Sequence, residues 1–299
     1  MESINSNPNP APKRKIKKRS MIAEVWKRLR KNKGAVFGMC LALLMVLIAI
    51  SSGFIFDYET DVIGQNIKNR LQPPSWEHPF GTDELGRDVF ARVMYGSRYS
   101  LSIGFVAVLV SLIIGVTLGA VAGYYGGKVD EVIMRIADIF ISIPSILLSI
   151  AIIAALGQSM FHLMLAVGFC SSAAFTRVAR ASVMTECHKD YVESARAIGM
   201  TDREIILKHV LPNSLSPIIV QATMRIASAI ISASSLSFLG LGVPIPMPEW
   251  GTMLSSSRKY LRDYSYLTLF PGVAIMLTVL AFNLFGDGLR DSIDPKLKR

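Results

Sequence analysis

One stretch of the chain approaches a nucleotide-binding loop: Gly123-Tyr-Tyr-Gly126-Gly127-Lys128-Val129. A phosphate-cradling loop needs four residues between its first glycine and the Gly-Lys pair, then a Ser or Thr hydroxyl for Mg²⁺. Here Gly123 stands one residue too close, and Val129 fills the hydroxyl position. ATP chemistry is therefore not expected on this chain. The four histidines, His78, His162, His188 and His209, show no ligand spacing and no triad-like setting. His209 lies three residues before Pro212, where a helix C-terminal dipole accounts for it. Cys40 and Cys170 sit in apolar runs and Cys187 in a polar stretch, with no CxxC, so neither a disulfide set nor a zinc site is supported. They read as small hydrophobes in helices. No catalytic residue and no metal site is expected, and the chain is not expected to be an enzyme.

What remains is a binding pattern in the polar segment Asp190–Asn213. It reads as two short helices. Asp190 with Glu193 gives a start signal, Gly199 a stop, Thr201 with Glu204 a capping box, and Pro212 an end. The first helix is expected to expose Ser194, Ala195 and Ala197, small residues that let a partner surface come close. It is too short to stand alone in water and needs something to dock on.

The elements that must position this segment are membrane spans. Hydrophobic residues make up 51% of the 299 and charged residues 18%, too apolar for an ordinary soluble domain. Gly34–Phe56, 23 residues without a charge, is long enough to cross a bilayer as a helix and too long for a secretory signal. Tyr99–Tyr125 is the second run. Ile139–Thr176, 38 uncharged residues, is divided by Gly157, Gln158 and Ser159 into two more spans. Ile218–Leu241, carrying Arg225, and Tyr264–Phe285 complete six spans, helical because a bilayer offers the backbone no water. Eleven of the 32 Lys and Arg residues fall between Lys13 and Lys33. With both termini on one side, that side collects 23 of them and the other eight, so the tails and the 177–215 segment are expected to be cytoplasmic. The net charge of +10 is concentrated there rather than spread over a soluble face, which argues against nucleic acid as a partner. Residues 1–20 are expected to be disordered. Met21–Lys33 is expected either as a basic amphipathic helix on the inner lipid surface, with Ile22, Val25, Trp26 and Leu29 on one stripe, or as a plain charged flank. Gly115, Gly119 and Gly123 share one helix face and suit a close packing seam. Arg225 is too costly to face lipid and should face protein or water. Asp138, three residues after Arg135, reads as its i,i+3 partner.

The 190–213 segment resembles the EAA motif of bacterial ABC importer permeases, E-A-A-x-x-x-G followed downstream by L-P-N. Glu193, Ala195, Gly199, Leu211, Pro212 and Asn213 match, and Ser194 replaces the usual first Ala, small for small. Other strings resemble the C-type permease of the dipeptide/oligopeptide/nickel subfamily: His78-Pro-Phe-Gly81-Thr82-Asp83-Glu-Leu-Gly86-Arg87-Asp88, Phe238-Leu-Gly240-Leu-Gly242, Pro248-Glu249-Trp250-Gly251 and Asn283-Leu-Phe-Gly286-Asp287-Gly-Leu-Arg290-Asp291. The resemblance implies an all-α polytopic protein with six transmembrane helices, the type I ABC importer transmembrane fold. It divides the chain into a tail 1–33, a first helix 34–56, an outer loop 57–98, a core 99–288 carrying a coupling segment 185–215, and a tail 289–299.

The resemblance also implies a plasma-membrane location and four kinds of partner. These are the lipid bilayer, a second and usually non-identical permease subunit, two cytoplasmic ATPases that bind ATP and Mg, and an extracytoplasmic solute-binding protein. No cofactor is implied on this chain. Carried over by position, Glu193, Ser194, Ala195, Ala197 and Gly199 would contact an ATPase, and Asp190, Thr201, Glu204, Pro212 and Asn213 would shape the segment. Arg225 would serve the pathway or assembly. Peptides are the implied cargo, with nickel or a metal chelate as the alternative. A stand-alone secondary transporter would need inverted repeats and interrupted, charged helices, and only Arg225 qualifies.

Overall fold

A computed structural model describes residues 21–293. The expected disorder of residues 1–20 and the basic Lys296, Lys298 and Arg299 lie outside the described residues, as does the Ile22 side chain. Among the described residues there is no strand, only an isolated bridge between Thr82 and Asp88.

Helix α1 (Met21–Leu29) leads into α2 (Lys33–Ile55). The Asn32 side chain caps α2 by accepting from the Ala35 N–H, 3.2 Å away. Leu29 is buried while Trp26 is half exposed. After an outer loop comes α3 (Val89–Tyr125), 37 residues and about 55 Å long, which starts ten residues before the expected span. The Asp88 carboxylate sets that start by accepting from the Ala91 N–H. The next span differs more. Helices α4 (Gly127–Ser142) and α5 (Ser145–Leu156) meet at 91° instead of forming one straight rod from Ile139. Pro144 is the cause: it lacks an N–H and pushes Ile143 into extended backbone, φ −90° and ψ 128°.

Helix α6 (Met160–Cys187) is capped by Ser159, and α7 (Asp190–Ala197) follows it. Helix α8 (Asp202–Glu204) runs through one wide π turn, Ile205–Val210, into α9 (Leu211–Phe238). The expectation that Pro212 ends a helix is therefore corrected, because 202–238 is one continuous rod. The wide turn, with the Leu211 N–H bonded to the Ile206 carbonyl, makes room for a ring that would otherwise strike the preceding turn. The Asn213 amide donates to the His209 carbonyl at 2.7 Å. Helices α10 (Trp250–Ser257) and α11 (Tyr266–Ile293) complete the order. Helices α2, α3, α6, the 202–238 rod and α11 are each long and apolar enough to cross a membrane, and the bent α4–α5 pair makes six.

The core lies among α2, α3, α6, α9 and α11, where Ile103, Leu163, Phe175, Ile230 and Leu236 are fully buried. Its tightest join is between α3 and α6. A Cβ on Gly119 would fall 2.5 Å from the Thr176 carbonyl and 2.6 Å from the Ala179 Cβ. One on Gly123 would fall 2.8 Å from the Arg180 carbonyl, and one on Gly115 would strike Phe175. Two helix backbones touch along this line, which only glycine permits. Outward, Leu43, Leu47, Ile50, Leu109 and Ile113 are exposed, an apolar surface suited to lipid.

Candidate functional site

The 190–213 segment forms a hook at the end of the bundle. Its base is an apolar cluster of Ala120, Val183, Val192, Ala195, Ile205 and Val210, joined by Tyr124, Met200 and Leu211. Polar bonds tie the hook to α3 and α6. The Tyr124 hydroxyl donates to Asp202 at 2.7 Å, and the Arg196 guanidinium stacks 5.2 Å from the Tyr124 ring. Glu186 accepts from Lys189 at 2.6 Å and from the Tyr191 hydroxyl at 2.7 Å. Burial, reinforced by the Glu186 bond, pushes the Tyr191 phenol up to about 12.

Helix α7 ends in a Schellman turn. The Gly199 N–H bonds the Arg196 carbonyl, and the Met200 N–H reaches back to the Ala195 carbonyl at 3.2 Å. Gly199 sits at φ +82°, a left-handed conformation open to glycine at little cost. Thr201 and Glu204 then form a reciprocal capping box, with the Lys208 ammonium bonded to Glu204 at 2.9 Å.

Two expectations about this helix are corrected. Asp190 makes no capping bond: Lys189 holds the cap position without a side-chain bond, and Asp190 and Glu193 put negative charge in the first turn. Ala195 is not exposed but 5% accessible, packed into the base, because the turn that includes Val192 faces the bundle. The outward ridge is Glu193, Ser194, Arg196, Ala197, Ile198 and Gly199, all exposed. Ser194 bonds back to the Asp190 carbonyl at 2.8 Å, and Ile198 is 78% exposed at the tip. Among the described residues nothing lies within 4 Å of a Cβ placed on Gly199. Residue spacing gave no sign of Tyr124 or Glu186, since each is brought to the hook from another helix, nor of Asp202 as the partner of Tyr124.

Elsewhere, Asp138 is not paired with Arg135. It accepts from Arg177 of α6 at 2.6 Å, and Arg180 pairs with Asp130, so α4 is pinned to α6 by two ion pairs. Arg135 instead lies 4.0 Å from Glu131. Gly126 and Gly127, of the nucleotide-loop lookalike, make the turn between α3 and α4. Arg225 lies within α9, half buried. No cluster of three His, Cys, Asp or Glu suited to a metal ion occurs among the described residues.

The outer strings are architectural. Asp83 accepts from Arg87 at 2.7 Å and His78 bonds Asp88 at 2.7 Å, folding the loop back on itself. Glu249, 1% accessible, caps α10 through the N–H groups of Gly251 and Thr252. The Trp250 indole donates to the Val93 carbonyl at 2.9 Å, locking α10 on α3.

Comparison with known proteins agrees with this arrangement. The family profile described as "Binding-protein-dependent transport system inner membrane component" matches residues 115–299, and "N-terminal TM domain of oligopeptide transport permease C" matches residues 20–74. A dipeptide transport system permease protein DppC of Alkalihalophilus pseudofirmus is 47% identical over 296 residues, 99% of this chain and 97% of its own. The di/tripeptide transport system permease protein DppC of Pseudomonas aeruginosa is 43% identical over 93% of each chain. The glutathione transport system permease protein GsiD of Pectobacterium atrosepticum is 45% identical over 92% of this chain and 91% of its own. Among solved structures, an inward-facing form of the MetNI methionine ABC transporter shares the fold. Its TM-score is 0.53 at 19% identity, over 65% of this chain and 93% of that one.

Proposed function

The chain belongs to the binding-protein-dependent transport system inner membrane components; it is a permease subunit of an ABC importer, and we propose that its Glu193–Gly199 ridge is the seat of a cytoplasmic ATPase. One observation carries this reading. Helix α7 has one face sunk in an apolar base and the other open, with Ile198 78% exposed at its tip. Such a helix is a rigid handle, and its open face of small residues with Ile198 at the tip suits close approach of a protein partner.

The remaining assignments follow from it. ATP and Mg bind on two partner ATPases, and this chain carries no cofactor. The hook side, with both tails, faces the cytoplasm, as the distribution of Lys and Arg supports. A second permease subunit, non-identical, covers the open break between α4 and α5, where residues 141–147 are all exposed. An extracytoplasmic solute-binding protein delivers the cargo. That cargo is a short peptide, the class named for the dipeptide, di/tripeptide and glutathione permeases that resemble the chain.

Crosslinking tests the reading. In a background with Cys40, Cys170 and Cys187 replaced, Ala197→Cys should crosslink to an ATPase subunit in native membranes, with a yield that changes on adding ATP. Glu193→Ala should abolish uptake while leaving insertion intact. A well-inserted protein that forms no such crosslink would overturn the assignment.

A further inference from the structure

Five polar residues of α9 share one face. Gln221, Arg225, Ser228, Ser232 and Ser235 stand at i, i+4, i+7, i+11 and i+14. None is buried: Ser228 and Ser232 are exposed, and Gln221, Arg225 and Ser235 are half buried. At 1.5 Å per residue the stripe is about 21 Å long, some two-thirds of a hydrocarbon core. Lipid is no partner for such a face. Ser235 satisfies its hydroxyl on the Ile231 carbonyl at 2.8 Å, but Arg225, the only charge on α9, finds no hydrogen bond or ion pair among the described residues. An unpaired guanidinium at this depth must face water, a solute or another chain.

The ground beside the stripe is hollow. A recess of about 430 Å³ opens between Ile146, Ile231, Ser235, Phe238 and Leu254, and Ser234 borders it, its own hydroxyl buried and without a hydrogen-bond partner among the described residues. Ser234 is only 7% accessible. A second recess of about 100 Å³ lies under Ser145, Ser149, Ser171 and Ser232. Neither is lined by a charged residue. The first turn of α5 borders both, and the bare backbone at Ile143–Pro144 beside it can lie at membrane depth only against protein or a water-filled space.

We propose that this stripe is the wall of the solute pathway on this subunit, and that Arg225 engages the carboxylate of the passing solute. The proposal rests on the importer reading and deepens it. Serine hydroxyls bond amide groups whatever the side chains are, which suits a cargo varied in sequence. A guanidinium with both edges free offers a carboxylate two parallel hydrogen bonds. The other candidate for Arg225 is an acidic side chain of the second permease subunit.

The test uses the whole complex, both permeases, ATPases and binding protein, in proteoliposomes. ATP-driven uptake is measured for a dipeptide and for its C-terminal amide, each at a concentration that saturates the binding protein. The unaltered complex should move the free acid faster. Arg225→Gln should slow the free acid about ten-fold and close the gap between the two, and Arg225→Lys should restore part of it. Equal slowing of both solutes, or loss of the second permease on purification, would overturn the role for Arg225. Ser232→Cys without native cysteines should react with a membrane-impermeant thiol reagent; no reaction in any nucleotide state would overturn the pathway wall. If the unaltered complex shows no ATP-driven uptake at all, the importer reading itself falls.

Discussion

Gly199 allows backbone conformation to be separated from partner approach. Its φ of +82° costs an L-residue with a Cβ about 1–2 kcal/mol, while asparagine visits this region with much less strain. A Cβ there meets nothing within 4 Å among the described residues, so they add no steric term. Gly199→Ala should thus weaken the Schellman turn by about 1–2 kcal/mol, enough to raise the opened population of the hook tip roughly five- to thirty-fold. Gly199→Asn should leave the turn nearly intact. Hydrogen exchange at the Met200 amide, which reaches back to the Ala195 carbonyl, reads the turn directly. Alanine should speed that exchange and asparagine should not. Uptake gives the second reading: if an ATPase packs against Gly199, asparagine fails there despite its intact turn. Unchanged exchange in Gly199→Ala would refute the conformational argument, and full transport by Gly199→Asn would refute close approach at this residue.

Two further perturbations probe the frame. Gly119→Val should lower the thermal midpoint of the detergent-solubilised protein, a loss of about 1–3 kcal/mol or more from helices forced apart at a carbonyl 2.5 Å away, whereas Gly272→Ala, with open space at its Cβ, should not. Glu249→Ala should cost about 1–2 kcal/mol by uncapping α10, read as a lower midpoint, with Glu249→Gln restoring part of it through its remaining carbonyl oxygen.

Much of this architecture is legible in the residues. Uncharged runs locate the spans because charge is what a hydrocarbon core rejects, and glycines at four-residue spacing mark the α3–α6 seam. The hook's turns show through Gly199 and the Thr201–Glu204 pair, whose signals are local. Counting uncharged residues misplaces α3, because the helix continues past Arg98 and Arg92 to its cap at Asp88. The same count passes over the α4–α5 bend, since Pro144 carries no charge. Pro212 misleads in the other direction: one wide turn lets the helix run through it. Asp138 shows the limit of local reasoning, because its partner Arg177 is 39 residues away and comes near only when α4 folds onto α6.

The rod 202–238 joins the hook to the proposed pathway. Its first turn carries the capping box and Asp202, which Tyr124 holds against α3. Its middle and outer parts carry Arg225, Ser228 and Ser232. No loop intervenes, so on the proposed reading a push on the hook travels along helix toward the stripe. Its backbone bonding is weakened at two places on the way, the π turn Ile205–Val210 and Pro217, which has no N–H to donate. The α3–α6 seam lets those two helices move only as a pair, because their backbones already touch at Gly115, Gly119 and Gly123 and have no room to slide. The bent α4–α5 pair, tied to α6 by Asp130 and Asp138, is on the proposed reading the opposite lip to the rod. On the proposed reading, opening and closing of the pathway on this subunit would change the angle between α9 and α5, whose facing residues line the two recesses.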